Sequence, residues 1–187
     1  MTTTTQTASQ PSTRWTLDGS HTSVGFTVRH MMITNVRGEF GAVAGEVVFD
    51  PKNLAAAKVR ATIDVASINT REAQRDAHLK SADFFDAESH PQMIFESRAV
   101  RGAKGGGYEI VGDLTIRGTT REVILSVDDV TAEHTDPWGN KRIGASAHGK
   151  IRRSEFGMTW NTALEAGGVL VSDEIKIHIE ASLIKQA

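Results

Sequence analysis

The sequence contains no cysteine and only four prolines among its 187 residues. The absence of cysteine excludes disulfide bonds, thiolate metal sites and cysteine nucleophiles, so packing alone must stabilise the fold. No apolar run reaches the ~20 residues that a membrane-spanning helix needs. A basic excess is also missing, because 21 Lys and Arg stand against 23 Asp and Glu and the formal net charge is −2. We therefore expect no nucleic-acid partner, and we expect anionic membrane surfaces to be poor partners.

The first 14 residues lack both the basic start and the apolar stretch of a secretory signal. They are rich in threonine and other polar residues, so we predict a disordered N-terminal tail over residues 1–14. The remaining residues, 15–187, have the usual size of one domain. We predict a single domain there and a cytoplasmic location for the protein.

Apolar and polar residues alternate in much of the domain, which is typical of β-strands with one buried face. The clearest strand runs from Glu174 to Leu183, where every second residue is apolar. The same alternation predicts strands around residues 24–28, 43–49, 59–65, 93–95, 108–116, 123–127 and 143–151. Turn signals such as Asp136-Pro-Trp-Gly-Asn140 separate them. Roughly eight strands in sequence order predict an all-β fold, either an antiparallel up-and-down barrel or a two-layer sandwich.

Two segments break this alternation. Residues 69–81 predict one short helix between strands, with Asn69 or Thr70 as its cap. Residues 154–168 are irregular, and we expect them to cover the rim of the barrel.

Small residues occupy several positions that the alternation places on the inward face. A barrel of about eight strands is just wide enough to be filled by side chains or to hold one small ligand. Small inward residues favour a cavity, although they could instead permit close packing at barrel corners. The strands are also long, since ten residues span ~33 Å, and this length favours an extended ligand. The small residues are Gly45, Ala61, Gly112, Ala145, Ala147 and Gly149.

Several stretches together resemble one known family, the YceI-like proteins. They extend over nearly the whole chain from Trp15 onward and comprise Asp18 to His30, Val36 to Gly41, Ile68 to Arg71, Arg75 to Asp86, His90-Pro91, Gly112 to Gly118 and Phe156-Gly157. The resemblance implies a lipocalin-like antiparallel barrel, often dimeric, whose tube accepts a long prenyl chain with its polar head near the opening. We therefore expect a homodimeric, non-catalytic carrier of a polyisoprenoid or an isoprenoid quinone that requires no cofactor.

The predicted ligand-binding residues are apolar, small or rim residues of the barrel. They are Phe26, Val28, His30, Phe40, Ala61, Ile63, Phe84, Phe95, Gly112, Leu114, Ala145, Ala147, Phe156, Trp160 and Ile177. The candidates for binding a polar head group are Arg29, Arg71, Arg75 and His78, because such groups can bond a diphosphate or a quinone oxygen. The alternative for the charged residues of the helical segment is a solvated helix face.

The sequence contains seven histidines, but none forms a close pair typical of metal ligands, so we predict no metal site. No GxSxG motif occurs either, and we predict no catalytic residues. Two other functions stay open. The barrel could be an isomerase or hydrolase of a prenyl-type substrate that uses His30 with a nearby carboxylate, or it could be a stress-response interaction module whose cavity is incidental.

Overall fold

The computed structural model describes residues 12–50, 53–104, 106–163 and 168–186. Almost all regular structure in these residues is β-strand. The strands are β1 (Thr13–Leu17), β2 (Ser23–His30), β3 (Thr34–Phe40), β4 (Val43–Asp50), β5 (Asn53–Asp64), β6 (Ile68–Asn69), β7 (Gln92–Gly102), β8 (Tyr108–Ile116), β9 (Thr119–Val130), β10 (His134–Thr135), β11 (Lys141–Arg152) and β12 (Val171–Lys185). One α-helix, α1 (Ala73–Lys80), and two 3₁₀ turns, Val65–Ser67 and Arg153–Phe156, complete the described elements.

Eight of the strands close into an antiparallel barrel. Around the ring the order is β1, β4, β5, β7, β8, β9, β11 and β12, and the ring closes where β12 pairs with both β11 and β1. Neighbouring strands in the ring also follow one another in the sequence, apart from the β2–β3 hairpin between β1 and β4 and the short elements β6 and β10. The predicted all-β, up-and-down barrel with one short helix is therefore confirmed.

A hairpin inserted between β1 and β4 departs from a simple meander. Strand β2 pairs with the first part of β12, with Phe26 opposite Ile177, while β1 pairs with the last part, with Leu17 opposite Leu183. Strand β3 pairs with β2 and then with β6, where Phe40 lies opposite Ile68. The eight strands predicted from the sequence thus include β2, which lies beside the ring, and omit β1, which belongs to it.

Buried residues form two clusters in the barrel. The larger cluster lies at the end that carries α1 and the two 3₁₀ turns, which we call the base. It comprises Phe40, Ile63, Val65, Ile68, Met93, Phe95, Leu114, Ile116, Val123, Leu125, Phe156 and Met158. The smaller cluster, of Trp15, Ile143 and Leu183, packs where β1 and β11 flank β12.

The structure corrects two boundaries. Glu72, rather than Asn69 or Thr70, caps α1, because its carboxylate accepts hydrogen bonds from the backbone nitrogens of Gln74 and Arg75. β1 begins at Thr13, a residue that was predicted to belong to the tail. Residues 1–11 of the predicted tail and residues 164–167 of the predicted rim segment lie outside the described residues. In the described part of the chain, no helix is long and apolar enough to cross a bilayer.

Candidate ligand-binding site

The barrel interior contains one large cavity of about 850 Å³. This volume lies within the roughly 300–1,000 Å³ range of pockets that bury most of the surface of a small-molecule ligand. Aliphatic and aromatic side chains from all eight ring strands and from β2 form most of its wall. Such a wall offers an apolar molecule burial from water and offers few hydrogen-bond partners to a polar one.

Eleven of the fifteen predicted ligand-binding residues line this cavity. They are Phe26, Val28, Phe40, Ala61, Ile63, Phe84, Phe95, Leu114, Ala145, Ala147 and Ile177. Their placement follows from the period-2 alternation, because residues i and i+2 of a strand lie on the same face. Trp15 and Leu17 also line the cavity, and both belong to β1, which the sequence analysis did not predict.

Gly112 does not line the cavity, which corrects the prediction for this residue. A Cβ atom built on Gly112 would lie 2.5 Å from Cζ of Phe95 and 2.7 Å from the carbonyl oxygen of Glu96. The Phe95 ring therefore occupies the space that the missing side chain leaves. At this position close packing, rather than a hole, explains the small residue.

The base of the cavity is closed by the segment that follows α1. Phe84 and Phe85 both line the cavity, because residues 81–90 form turns rather than a strand. Behind Phe84 lie the rings of Trp160 and His78, with ring centroids 5.4 Å and 5.1 Å from that of Phe84. Trp160 and Phe156 were predicted to line the cavity and do not: Trp160 packs behind its wall, and Phe156 is buried in the larger core cluster.

None of the four predicted head-group residues lines the cavity, and neither does His30. The Arg75 guanidinium donates to the hydroxyl and the carbonyl of Thr70, at 2.7 Å and 2.8 Å. Nε2 of His78 lies 2.9 Å from Asp83, which follows α1.

The other two arginines take part in contacts within the β2–β3 hairpin and before α1. Arg29 donates to the side-chain oxygen of Asn35, and the backbone nitrogen of Arg71 donates to that of Asn69. These bonds organise the local structure outside the cavity. These four residues lie outside the cavity wall, and their role in binding a head group stays a prediction.

Arg153 is a buried charged residue of the cavity wall that was not predicted from the sequence. It lines the cavity at the base and is only 5% exposed. Its guanidinium donates to four backbone carbonyls, those of Met158, Trp160, Val171 and Ser172, at 2.7–3.3 Å. Burial lowers the pKa of this guanidinium from its ordinary value, and the charge of Asp173 opposes that shift.

The position of Arg153 could have been found from the alternation. In β11 the inward series Ile143, Ala145, Ala147, Gly149 and Ile151 continues to residue 153. An arginine at an inward position after an apolar series indicates a buried cation that must find neutral or acidic acceptors.

The opposite end of the barrel, which we call the mouth, is more polar. Asp128, Asp129, Thr131 and Glu133 line the cavity there and are exposed, so the cavity reaches solvent at this end. Asp128 lies 2.7 Å from Nδ1 of His148, and Glu133 pairs with two lysines of β11 and β12. The Lys185 ammonium close to Glu133 holds the pKa of that carboxyl below its ordinary value.

One cluster has the residue types of a hydrolytic triad but lacks its geometry. Nδ1 of His21 lies 2.8 Å from Asp18 and 3.1 Å from the Ser20 hydroxyl. In a functioning triad the imidazole uses one ring nitrogen for the carboxylate and the other for the nucleophile. Here the same nitrogen faces both groups, in an exposed turn outside the cavity, so the cluster cannot relay a proton to Ser20.

The family described as the YceI-like domain matches residues 15–183, a range that overlaps every strand of the ring. The chain belongs to the YceI-like family. A UPF0312 protein of Staphylococcus aureus is 36% identical over 169 residues, which are 90% of this chain and 96% of that protein.

Several solved structures have the same fold as this chain. Burkholderia cenocepacia BcnA superposes with a TM-score of 0.76 at 27% identity, covering 89% of this chain and 98% of that one. The YCEI protein of Campylobacter jejuni has a TM-score of 0.71 at 32% identity, covering 91% and 97%. A polyisoprenoid binding domain from Saccharophagus degradans shares the fold, with a TM-score of 0.65 at 13% identity over 92% of this chain and 98% of that one. Family membership and the apolar cavity together support a binding role for this YceI-like protein.

Proposed function

We propose that this protein is a non-catalytic carrier of a long-chain isoprenoid lipid, a polyisoprenoid or an isoprenoid quinone, held inside the barrel. The observation that carries the proposal is the cavity of about 850 Å³ with an almost wholly apolar wall. Strands of 12 residues, such as β9 and β11, span ~40 Å along their own axes, and the usual barrel tilt shortens this to ~30 Å of depth. A deep apolar tube fits an extended chain better than a compact metabolite.

The ligand affinity should come mainly from the chain. Each five-carbon isoprene unit contributes roughly 3–4 kcal/mol on burial, at ~0.8 kcal/mol per methylene, before the cost of ordering it. Several units therefore give ample affinity without a specific head-group contact. The polar mouth would leave a head group in water, close to Asp129, Thr131 and Glu133.

We also propose a homodimer, as the family resemblance implies, together with a cytoplasmic location and no required cofactor. The name of the Saccharophagus degradans domain agrees with the proposed ligand class.

A cavity-filling variant tests the proposal. Ala147 lines the cavity in β11, while Ser146 is its neighbour on the opposite face of the same strand. In Ala147→Phe the new ring displaces about one isoprene unit, so we expect affinity for a prenyl compound to fall on the order of a hundredfold. Ser146→Phe adds the same ring outside the barrel and should leave affinity unchanged.

The readout is the lipid content of protein purified from its own source, measured by mass spectrometry of an organic extract, together with titration of added prenyl compounds. Folding of each variant is checked by circular dichroism. Absence of any co-purifying lipid and of binding to added prenyl compounds would contradict the proposal. Chemical conversion of the added compound by the wild-type protein would favour the enzymatic alternative.

A further inference from the structure

The tip of the β2–β3 hairpin presents three consecutive apolar side chains to solvent. Met31, Met32 and Ile33 are 41%, 52% and 71% exposed. Met31 and Met32 both adopt positive φ, 50° and 61°, a backbone region that residues other than glycine rarely occupy. The loop thus holds its apolar side chains outward at a conformational cost, which suggests a role outside the fold of the barrel itself.

The hairpin tip is continuous with the wall of the cavity. Val28, three residues before Met31, lines the cavity, and so does Val171, which lies opposite His30 at the last pair of the β2–β12 ladder. The backbone nitrogen of Met31 also donates to the carbonyl of Leu170, at 2.8 Å. Val169, in the same segment, is an exposed apolar residue as well. The apolar tip therefore follows directly on strand segments whose inner faces line the cavity.

Cations lie on the outer face of the sheet next to this tip. The strand register places Lys150, Lys176, Thr27 and Arg37 in one row across β11, β12, β2 and β3. Their inward neighbours, such as Phe26 and Ile177, line the cavity, so the row itself faces outward.

Arg29 and Arg152 occupy the same face two residues closer to the tip along β2 and β11. Glu174 lies opposite Arg152 and accepts a hydrogen bond from Lys150 at 3.3 Å. Among the described residues of these two rows, it is the one carboxylate. We call Arg29, Arg37, Lys150, Arg152 and Lys176 the basic face. Its five cations exceed the charge of Glu174 although the whole chain carries −2. The net charge of the whole chain, from which anionic membranes were expected to be poor partners, hides this local excess.

We propose that the hairpin tip and the basic face, which lie at the base end of the barrel, dock the protein on an anionic lipid bilayer. This inference rests on the proposed lipid ligand, because a water-insoluble chain must come from a membrane. The apolar tip enters the interface between head groups and acyl chains, as amphipathic surface elements do. The cations of the basic face lie within about a Debye length of the lipid head groups, where they attract anionic lipids.

The test measures sedimentation of the full-length protein with vesicles of phosphatidylcholine alone and of phosphatidylcholine with phosphatidylglycerol. We expect binding to the anionic vesicles and its reduction by high salt. In the double variant Met32→Ser with Ile33→Ser, the partition coefficient should fall at least tenfold, because two exposed apolar side chains no longer enter the bilayer. Trp138→Ser is the matched control, since Trp138 is 82% exposed in the loop before β11, at the mouth end.

Charge is tested separately. Arg37→Gln and Lys176→Gln should each lower binding to anionic vesicles about fivefold. Lys104→Gln, which removes an exposed cation in the turn before β8, should not. Equal binding of the wild-type protein and the tip variant, or no binding by either, would overturn the inference. A tip variant that turns a dimer into a monomer, with no vesicle binding by either form, would assign the tip to a second copy of the chain instead.

A second readout separates this inference from the proposed function. Uptake of a C20 prenyl alcohol delivered in vesicle-free buffer should be the same for the wild-type protein and the tip variant, because the cavity is intact. Failure of both to take up the alcohol would contradict the lipid-carrier proposal even if vesicle binding persists. Normal uptake without vesicle binding would contradict docking alone.

Discussion

Replacing Arg153 by methionine tests whether its buried guanidinium holds the base of the barrel together. The guanidinium joins the 3₁₀ turn after β11 to the backbone of residues 158–160 and to the start of β12 through four hydrogen bonds. Methionine has a similar length and keeps the apolar packing, but it donates no hydrogen bond. Arg152→Met is the matched control, because its neighbour Arg152 is exposed.

The expected loss of stability follows from the acceptors that are left. Each buried carbonyl without a donor costs about 1–3 kcal/mol, so four carbonyls at the lower value cost about 4 kcal/mol. Removing the buried cation recovers its desolvation penalty, which we take as about 1–2 kcal/mol after relaxation. The free energy of unfolding should therefore fall by about 2–3 kcal/mol. At a urea m-value of about 2 kcal/mol per molar, the unfolding midpoint should fall by about 1–1.5 M.

Urea denaturation followed by tryptophan fluorescence measures this shift. Hydrogen exchange on the same variant should show the largest loss of protection at the backbone amides of residues 158–163 and 168–172. Arg153→Lys should recover only part of the stability, because an ammonium lacks the planar fork that reaches several carbonyls at once. A midpoint for Arg153→Met within about 0.3 M of that of Arg152→Met would refute the reasoning.

Two further predictions concern an ion-pair network and a packed glycine. Arg142 bonds to Asp18 at 2.6 Å and to Asp136 at 2.7 Å. Hydrogen bonds from the Ser20 hydroxyl and from Arg142 hold the pKa of Asp18 well below its ordinary 3.8, and the bond from Arg142 does the same for Asp136. The resulting stabilisation is present above that ordinary pKa and is lost as the pH falls below it. Arg142→Gln should therefore lower the melting temperature at pH 7 and progressively less toward pH 3, whereas a pH-independent difference would contradict the network. Gly112→Ala should lower the free energy of unfolding by about 1–3 kcal/mol, because the added Cβ would overlap the Phe95 ring. A melting temperature equal to that of the wild-type protein would show that the ring moves aside without cost.

The strands with regular alternation could be predicted from the sequence, and those with interrupted alternation could not. β12 keeps an apolar residue at every second position over ten residues, so both its existence and its inward face follow from the pattern. In β3 the inward positions are Val36, Gly38 and Phe40, and the glycine between them breaks the apolar series. β1 has only five residues, too few for a periodic pattern to stand out.

The cavity wall was predictable for the same reason, whereas the polar contacts were not. Ala145 and Ala147 line the cavity because their parity in β11 matches that of Ile143 and Ile151. The contacts of Arg75 and of the other cations near α1 could not be predicted, because sequence spacing indicates which residues share a helix face but not what that face packs against. Local acceptors such as Thr70 bind the Arg75 side chain.

The seam of the barrel joins two distant parts of the polypeptide. β1, near residue 15, pairs with β12, near residue 183, and the other edge of β12 pairs with β11. β12 is therefore the strand that closes the ring. During synthesis on the ribosome, the first eleven strands emerge as an open sheet, and its apolar inner face stays exposed. The barrel cannot close until β12, which ends at Lys185, has been synthesised, so a ligand must enter after translation of all the strands. Nascent chains therefore depend on rapid pairing of β12 to avoid aggregation.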